Sequence, residues 1–222
     1  MSGENRPVPT TSQFLAFLLA SILFIQVPGP SLLFTIGRAL TVGRRDALLS
    51  VVGNAAGLGA QSVLVAVGLA SIIAASATAF TVLKLVGAAY VAWLGFQTIR
   101  HRADAREALA SGLDARPTGT GRSLRTGFIV GLTNPKTIVF FAAFLPQFAN
   151  RSAGPAAPQL LLLGLIFAVL AVASDTVWAL AAGRAREWFA RKPQRLDKLG
   201  ATGGTMLIGL GATLVVSGHP SS

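Results

Sequence analysis

Residues 131–141 read GLTNPKTIVFF and place an amide, a helix-breaking proline and a cation inside an otherwise apolar segment. An ammonium group at the middle of a membrane is costly, so such groups usually face a water-filled cavity or a partner. Asn134 is a favoured helix N-cap, and Pro135 is favoured at the first helical position. We therefore expect a half-helix to begin here, with its positive end and Lys136 directed at the membrane interior, where an anion can be held.

The composition is that of a membrane protein. The 222 residues are 52% hydrophobic and 12% charged, whereas soluble domains have about 25% charged residues. A chain of this length suits one all-α domain of about six spans. The net charge of +11 does not indicate nucleic-acid binding, because the arginines lie between apolar spans and report orientation there. The chain has no cysteine, and its two histidines lie in a loop and in the tail, so no metal site and no cofactor are expected.

The hydropathy pattern predicts six spans. They lie at about residues 14–36, 47–70, 80–99, 126–148, 159–182 and 199–217, after a polar tail of residues 1–13. Together they form one domain, residues 14–218, and the only stretch that resembles a soluble linker is the loop 100–124.

Positive charge is distributed unevenly among the loops. The first, third and fifth predicted loops hold three, six and six of the 19 lysines and arginines, against two in the tail and the fourth loop. The positive-inside rule then places the loop 100–124 in the cytoplasm and both termini outside. We expect this orientation in the cytoplasmic membrane.

The two halves of the chain are predicted to be inverted repeats of three helices each. The first span of each half is broken by proline, at Pro28-Gly29-Pro30 and at Asn134-Pro135. Gly29 is expected as an N-cap with Pro30 as the first helical residue, matching the second break. Interrupted spans at corresponding positions of inverted halves indicate a transporter site near the midplane.

Several motifs resemble those of the LysE/RhtB translocators, which are small inner-membrane exporters of amino acids and their derivatives. The motifs are Pro28-Gly29-Pro30, Lys84-x-x-Gly87-Ala88-x-Tyr90, Asn134-Pro135-Lys136 and Pro146-Gln147-Phe148. The resemblance covers nearly all six spans and implies efflux of a small amino acid, energised by the proton-motive force. One departure is that Leu58 follows the second-span glycines, where the family often has an acidic residue.

Nine residues of the breaks and of the spans facing them are candidates for substrate binding. They are Pro28, Gly29, Pro30, Asn54, Gln61, Asn134, Pro135, Lys136 and Asp175. The two helix starts and Lys136 suit a carboxylate. The carbonyls freed by the prolines suit an ammonium, as does Asp175, the only carboxylate well inside a predicted span. Three alternatives stay open: the first break is only a kink, Lys136 pairs with Asp175, or Asn54 and Gln61 make interhelical hydrogen bonds.

The sequence therefore predicts export of a small amino acid or analogue. The expected partners are this substrate and the lipid bilayer. An enzyme is not expected, since the spans hold no Cys, no His and one deep carboxylate. A non-transporting helper subunit and efflux of another small ion are the alternatives. The repeats Gly53-x-x-x-Gly57, Gly127-x-x-x-Gly131 and Gly200-x-x-x-Gly204 predict close helix packing within the monomer, with a homodimer left open.

Overall fold

A computed structural model describes residues 9–27, 29–100, 119–150, 154–192 and 194–216. These residues form eight α-helices and one short 3-10 helix, Leu145–Phe148, so the predicted all-α class is confirmed for this part of the chain. In chain order the helices are α1 Thr11–Gln26, α2 Pro30–Thr41, α3 Arg44–Ala75, α4 Ala77–Arg100, α5 Thr120–Thr133, α6 Pro135–Ala143, α7 Ala156–Arg191 and α8 Gln194–Val216. Pro28 and most of the predicted cytoplasmic loop lie outside the described residues.

Three helices, α3, α4 and α7, are long and apolar enough to cross a membrane. Each of the two bent pairs adds one candidate, which gives up to five spans among the described residues. Helix α8 is not counted among them. The protein is thus a multi-pass helical membrane protein, and the six-span inverted repeat stays a prediction.

Both expected helix starts are present at the two breaks. The axis turns by 51° between α1 and α2 and by 43° between α5 and α6. Gly29 is the N-cap of α2 with Pro30 in its first turn. Asn134 is the N-cap of α6, and its side chain accepts a hydrogen bond of 3.1 Å from the backbone N–H of Lys136. The prolines occupy positions where a missing N–H costs nothing, which is why they open these helices.

Helices α3 and α5 run parallel and touch along four glycines, Gly53, Gly57, Gly127 and Gly131, which we call the glycine seam. A Cβ on Gly57 would overlap the carbonyl oxygen of Phe128, and one on Gly127 would overlap the carbonyl oxygen of Ser50. The predicted close packing of these two repeats within the monomer is therefore confirmed. Gly204 of the third repeat likewise contacts the backbone of Gly95, in the antiparallel pair α4 and α8.

The two bent pairs run in opposite directions. Arg38 at the end of α2 donates a hydrogen bond of 2.8 Å to the Ser123 hydroxyl at the start of α5. At the opposite end of the molecule, the Gln13 side chain of α1 donates a bond of 3.4 Å to the Ala149 carbonyl, which follows the 3-10 helix. The breaks of the two pairs consequently meet near the middle of the molecule.

Phenylalanine rings fill the space between the breaks and the end that holds Ala149. The Phe140 ring lies between those of Phe24, at 4.3 Å, and Phe144, at 5.1 Å. Phe17 and Phe148 pack edge to face at 5.6 Å. We call these five residues the aromatic cluster; four of them are buried and Phe148 is half-buried.

Candidate functional site

The Lys136 ammonium caps the end of the first half-helix. Its Nζ donates hydrogen bonds of 2.6 Å to the Phe24 carbonyl and 2.7 Å to the Val27 carbonyl, and it lies 4.5 Å from the centroid of the Phe24 ring. The Phe24 carbonyl would pair with the N–H four residues later in a continuous helix, but that residue is Pro28 and has no N–H. A cation here also meets the negative end of the α1 dipole.

Asp175 accepts hydrogen bonds from α3 and from α2, the helix that follows the first break. Its Oδ2 accepts hydrogen bonds from the Asn54 amide at 3.2 Å and from the Ser31 hydroxyl at 3.4 Å. The same Asn54 amide donates to Ser31 at 2.9 Å. Asp175, Asn54 and Ser31 therefore join α7, α3 and α2. The carboxylate is 4% exposed, and its hydrogen bonds go to this network rather than to Lys136.

One cleft contains both charges. Its cavity volume is about 30 Å³, which is room for water and not for an amino acid, so the cleft must widen to admit a larger molecule. Polar groups from Ser31, Asn134, Lys136, Thr137 and Asp175 face it. The remaining lining is mostly apolar and includes Phe24, Leu32, Leu58, Phe167 and Ala171.

The structure brings most of the predicted residues together. Gly29, Asn134, Lys136 and Asp175 line the cleft. Pro30 and Pro135 open the helices that carry Ser31 and Lys136. Asn54 reaches the cleft through its bond to Asp175, and Pro28 lies outside the described residues.

Gln61 is placed differently from the other candidates. Its side-chain amide donates to the Leu132 carbonyl at 3.0 Å and to the Gly131 carbonyl at 3.5 Å, so it makes interhelical hydrogen bonds, one of the two roles considered for it. Ser31 was not predicted. The available signal was positional, since Ser31 follows Pro30 as Lys136 follows Pro135.

No group of three or more His, Asp or Glu side chains in the described residues could hold a metal ion. The site instead offers a fixed cation, a fixed anion and hydroxyl groups in a largely apolar cleft. Such a set can bind a small zwitterion by pairing both of its charges.

Comparison with known proteins gives a consistent result. Residues 22–218 match the family described as LysE type translocator. The homoserine/homoserine lactone efflux protein of Salmonella typhimurium is 35% identical over 210 residues, which cover 95% of this chain and 99% of that protein. The threonine efflux protein of Escherichia coli K12 is 25% identical over 204 residues, covering 92% and 98%. An uncharacterized membrane protein of Vibrio cholerae is 34% identical over 205 residues, covering 92% and 97%. No solved structure matches the chain.

Proposed function

The chain belongs to the LysE type translocator family, and from this premise we propose that it exports a small amino acid or amino-acid derivative across the cytoplasmic membrane. Members of this family are translocators, so the activity is transport rather than catalysis. The proposal is carried by one observation, that Lys136 and Asp175 line the same cleft between two broken spans.

Each charge has bonding capacity left for a zwitterion. An ammonium has three N–H donors, and Lys136 uses two of them on the Phe24 and Val27 carbonyls. The third is available for a substrate carboxylate. The hydrogen bonds from Ser31 and Asn54 both go to Oδ2 of Asp175, and we assign the substrate ammonium to Oδ1 of the same carboxylate. Since Lys136 itself uses the carbonyls freed by the first break, Asp175 is the better ammonium partner.

The substrate class follows from the cleft and from the relatives. The hydroxyl and amide groups that line the cleft suit a small polar amino acid. Two relatives are named for efflux of homoserine, homoserine lactone and threonine. We therefore place these three compounds first among the candidates. Because the lactone has no free carboxylate for Lys136, the free amino acids should bind more tightly than the lactone.

Export is proposed to be driven by the proton-motive force, with the arginine-rich loops in the cytoplasm and both termini outside. The excess of Lys and Arg in three alternate predicted loops supports this orientation. Outward movement of a zwitterion carries no net charge, so the membrane potential alone does not drive it. In the proposed mechanism, exchange for protons supplies the energy.

Reconstitution of the purified protein into liposomes tests this function. Liposomes containing only this protein should transport labelled homoserine or threonine, and an imposed pH gradient should drive accumulation that a protonophore abolishes. Liposomes with the doubly substituted Lys136→Met/Asp175→Asn protein are the control. If the wild type transports none of the three compounds, the result favours the helper-subunit alternative. If it transports only inorganic ions, the result favours the ion-efflux alternative.

A further inference from the structure

We infer that Gln61 is a positioning residue, which holds the end of α5 so that Asn134 and Lys136 face the cleft. The inference rests on the proposed function and deepens it. Gln61 lies on α3, one turn beyond Leu58, which lines the cleft. Its side chain is 3% exposed and points to the second break.

The two carbonyls that Gln61 binds are those that the break deprives of their helical donors. In a continuous helix the Gly131 carbonyl pairs with the N–H of residue 135, but Pro135 has none. The Leu132 carbonyl would pair with the N–H of Lys136, but that N–H donates to the Asn134 side chain. An unsatisfied carbonyl costs several kcal/mol in a bilayer interior, so the Gln61 amide supplies what the break removes.

Gln61 and Lys136 therefore both donate hydrogen bonds to the unpaired carbonyls of a helix end, each at a different break. Lys136, from the second half of the chain, donates to two carbonyls at the end of α1. Gln61, from the first half, donates to two carbonyls at the end of α5. Each broken span is completed by a side-chain donor from the other half. One donor is charged and can interact with a substrate anion, whereas the other is neutral.

A direct contact with substrate is the rival role for Gln61. Its Oε1 is buried and has no hydrogen-bond partner among the described residues, so this oxygen is the atom that a substrate ammonium would use. The two roles depend on opposite ends of the same amide. The positioning role needs only the Nε2 donor, and the rival role needs only the Oε1 acceptor.

Three substitutions separate these roles. Gln61→Met removes both ends, Gln61→Lys keeps donors only, and Gln61→Glu keeps an acceptor of nearly the same shape. For a positioning residue, homoserine flux in liposomes should fall about tenfold in Gln61→Met, as expected when buried carbonyls lose their donor. Gln61→Lys should restore most of the flux, and Gln61→Glu should transport no better than Gln61→Met.

Thermal unfolding in detergent, without substrate, gives a second readout. The midpoint should fall in Gln61→Met and recover in Gln61→Lys. Wild-type-like flux in Gln61→Met, or better flux in Gln61→Glu than in Gln61→Met, overturns the inference while leaving the transport function intact. If Gln61→Lys does not insert into the membrane, the comparison of flux in Gln61→Glu and Gln61→Met still distinguishes the two roles. Failure of the wild type to transport would instead count against the proposed function. The unfolding midpoints would still show whether the Gln61 amide stabilises the end of α5.

Discussion

Lys136 belongs by sequence to α6 and by its hydrogen bonds to α1. Its backbone N–H completes the Asn134 cap, and its ammonium completes the last turn of α1. A single substitution therefore acts on both breaks and on the charge of the cleft. This double role explains how a buried lysine is accommodated, because two carbonyls and an aromatic ring replace its hydration.

Charge should matter more than side-chain shape at Lys136. Lys136→Arg should keep part of the amino-acid flux, because a guanidinium can still donate to carbonyls and attract a carboxylate. Lys136→Met should lower flux by about tenfold or more, since it removes the charge and leaves two carbonyls without a donor. Flux in liposomes is normalised to the amount of inserted protein. Wild-type transport by Lys136→Met would exclude a direct role in binding the carboxylate.

Asp175→Asn should abolish both net export and substrate exchange. The amide is close to the carboxylate in size and can still accept a bond from Asn54 or Ser31, so insertion should be normal. The negative charge that pairs with the substrate ammonium is lost. The measurement is counterflow of labelled homoserine beside gradient-driven accumulation. If counterflow survives and only accumulation is lost, Asp175 acts on protons rather than on the substrate.

The charged groups of the site could be predicted individually from the sequence, because a lysine or aspartate inside an apolar run has few structural uses. Their partners could not. Ser31 is an ordinary residue for a membrane helix, and the contact between Gln61 and the end of α5 depends on how α3 packs. The sequence suggested that the freed carbonyls await a substrate, whereas Lys136 binds two of them.

Helices α3 and α5 form a close backbone contact that joins the two halves. At the glycine seam, carbonyl oxygens of one helix occupy the space where side chains of the other would begin. This packing places Asn54 beside Asp175 and Gln61 beside the second break. Small residues of this kind allow close approach where the hydrophobic effect does not drive association.

Two glycines on the same helix provide a matched test of the seam. A Cβ on Gly57 would collide with backbone atoms of Phe128 and Leu132, whereas a Cβ on Gly59 would meet nothing within 4 Å. Gly57→Ala should therefore destabilise the protein by about 1–3 kcal/mol. Gly59→Ala should be neutral or slightly stabilising, because alanine favours helix more than glycine does. Thermal unfolding in detergent compares the two, and equal midpoints would contradict the observed packing.

The helix starts at the breaks were predictable, because N-cap and proline preferences act locally. The end of α7 was not. The apolar run ends near residue 182, but the helix continues to Arg191, through a segment predicted as a basic connection. Outside the bilayer, helix formation no longer requires apolar side chains, so hydropathy marks the end of the span and not the end of the helix.

The orientation of the whole molecule can be tested with single cysteines, because the chain has none of its own. Thr11 at the start of α1 and Thr120 at the start of α5 are both exposed. With both termini outside, an impermeant maleimide added to intact cells should label Thr11→Cys and should label Thr120→Cys only after the cells are broken. Labelling of Thr120→Cys in intact cells would reverse the proposed orientation.

Six spans are one more than the described helices support by length and composition, and α8 lies at the position of the sixth predicted span. Residues 199–216 of this helix carry no charged side chain, and some of its glycines pack closely against α4. The direction of each helix is better read from its contacts, such as the antiparallel approach of Gly95 to Gly204.

The aromatic cluster has a consequence for the cell as well as for packing. The buried rings of this cluster offer water no hydrogen-bond partner between the cleft and the end of the molecule near Ala149, so a continuous file of water is unfavourable there. Without such a file, protons cannot hop along hydrogen-bonded water through the resting protein. A translocator that exports through the cytoplasmic membrane, as proposed, then does not conduct protons at rest, and its abundance does not dissipate the membrane potential that other transporters use.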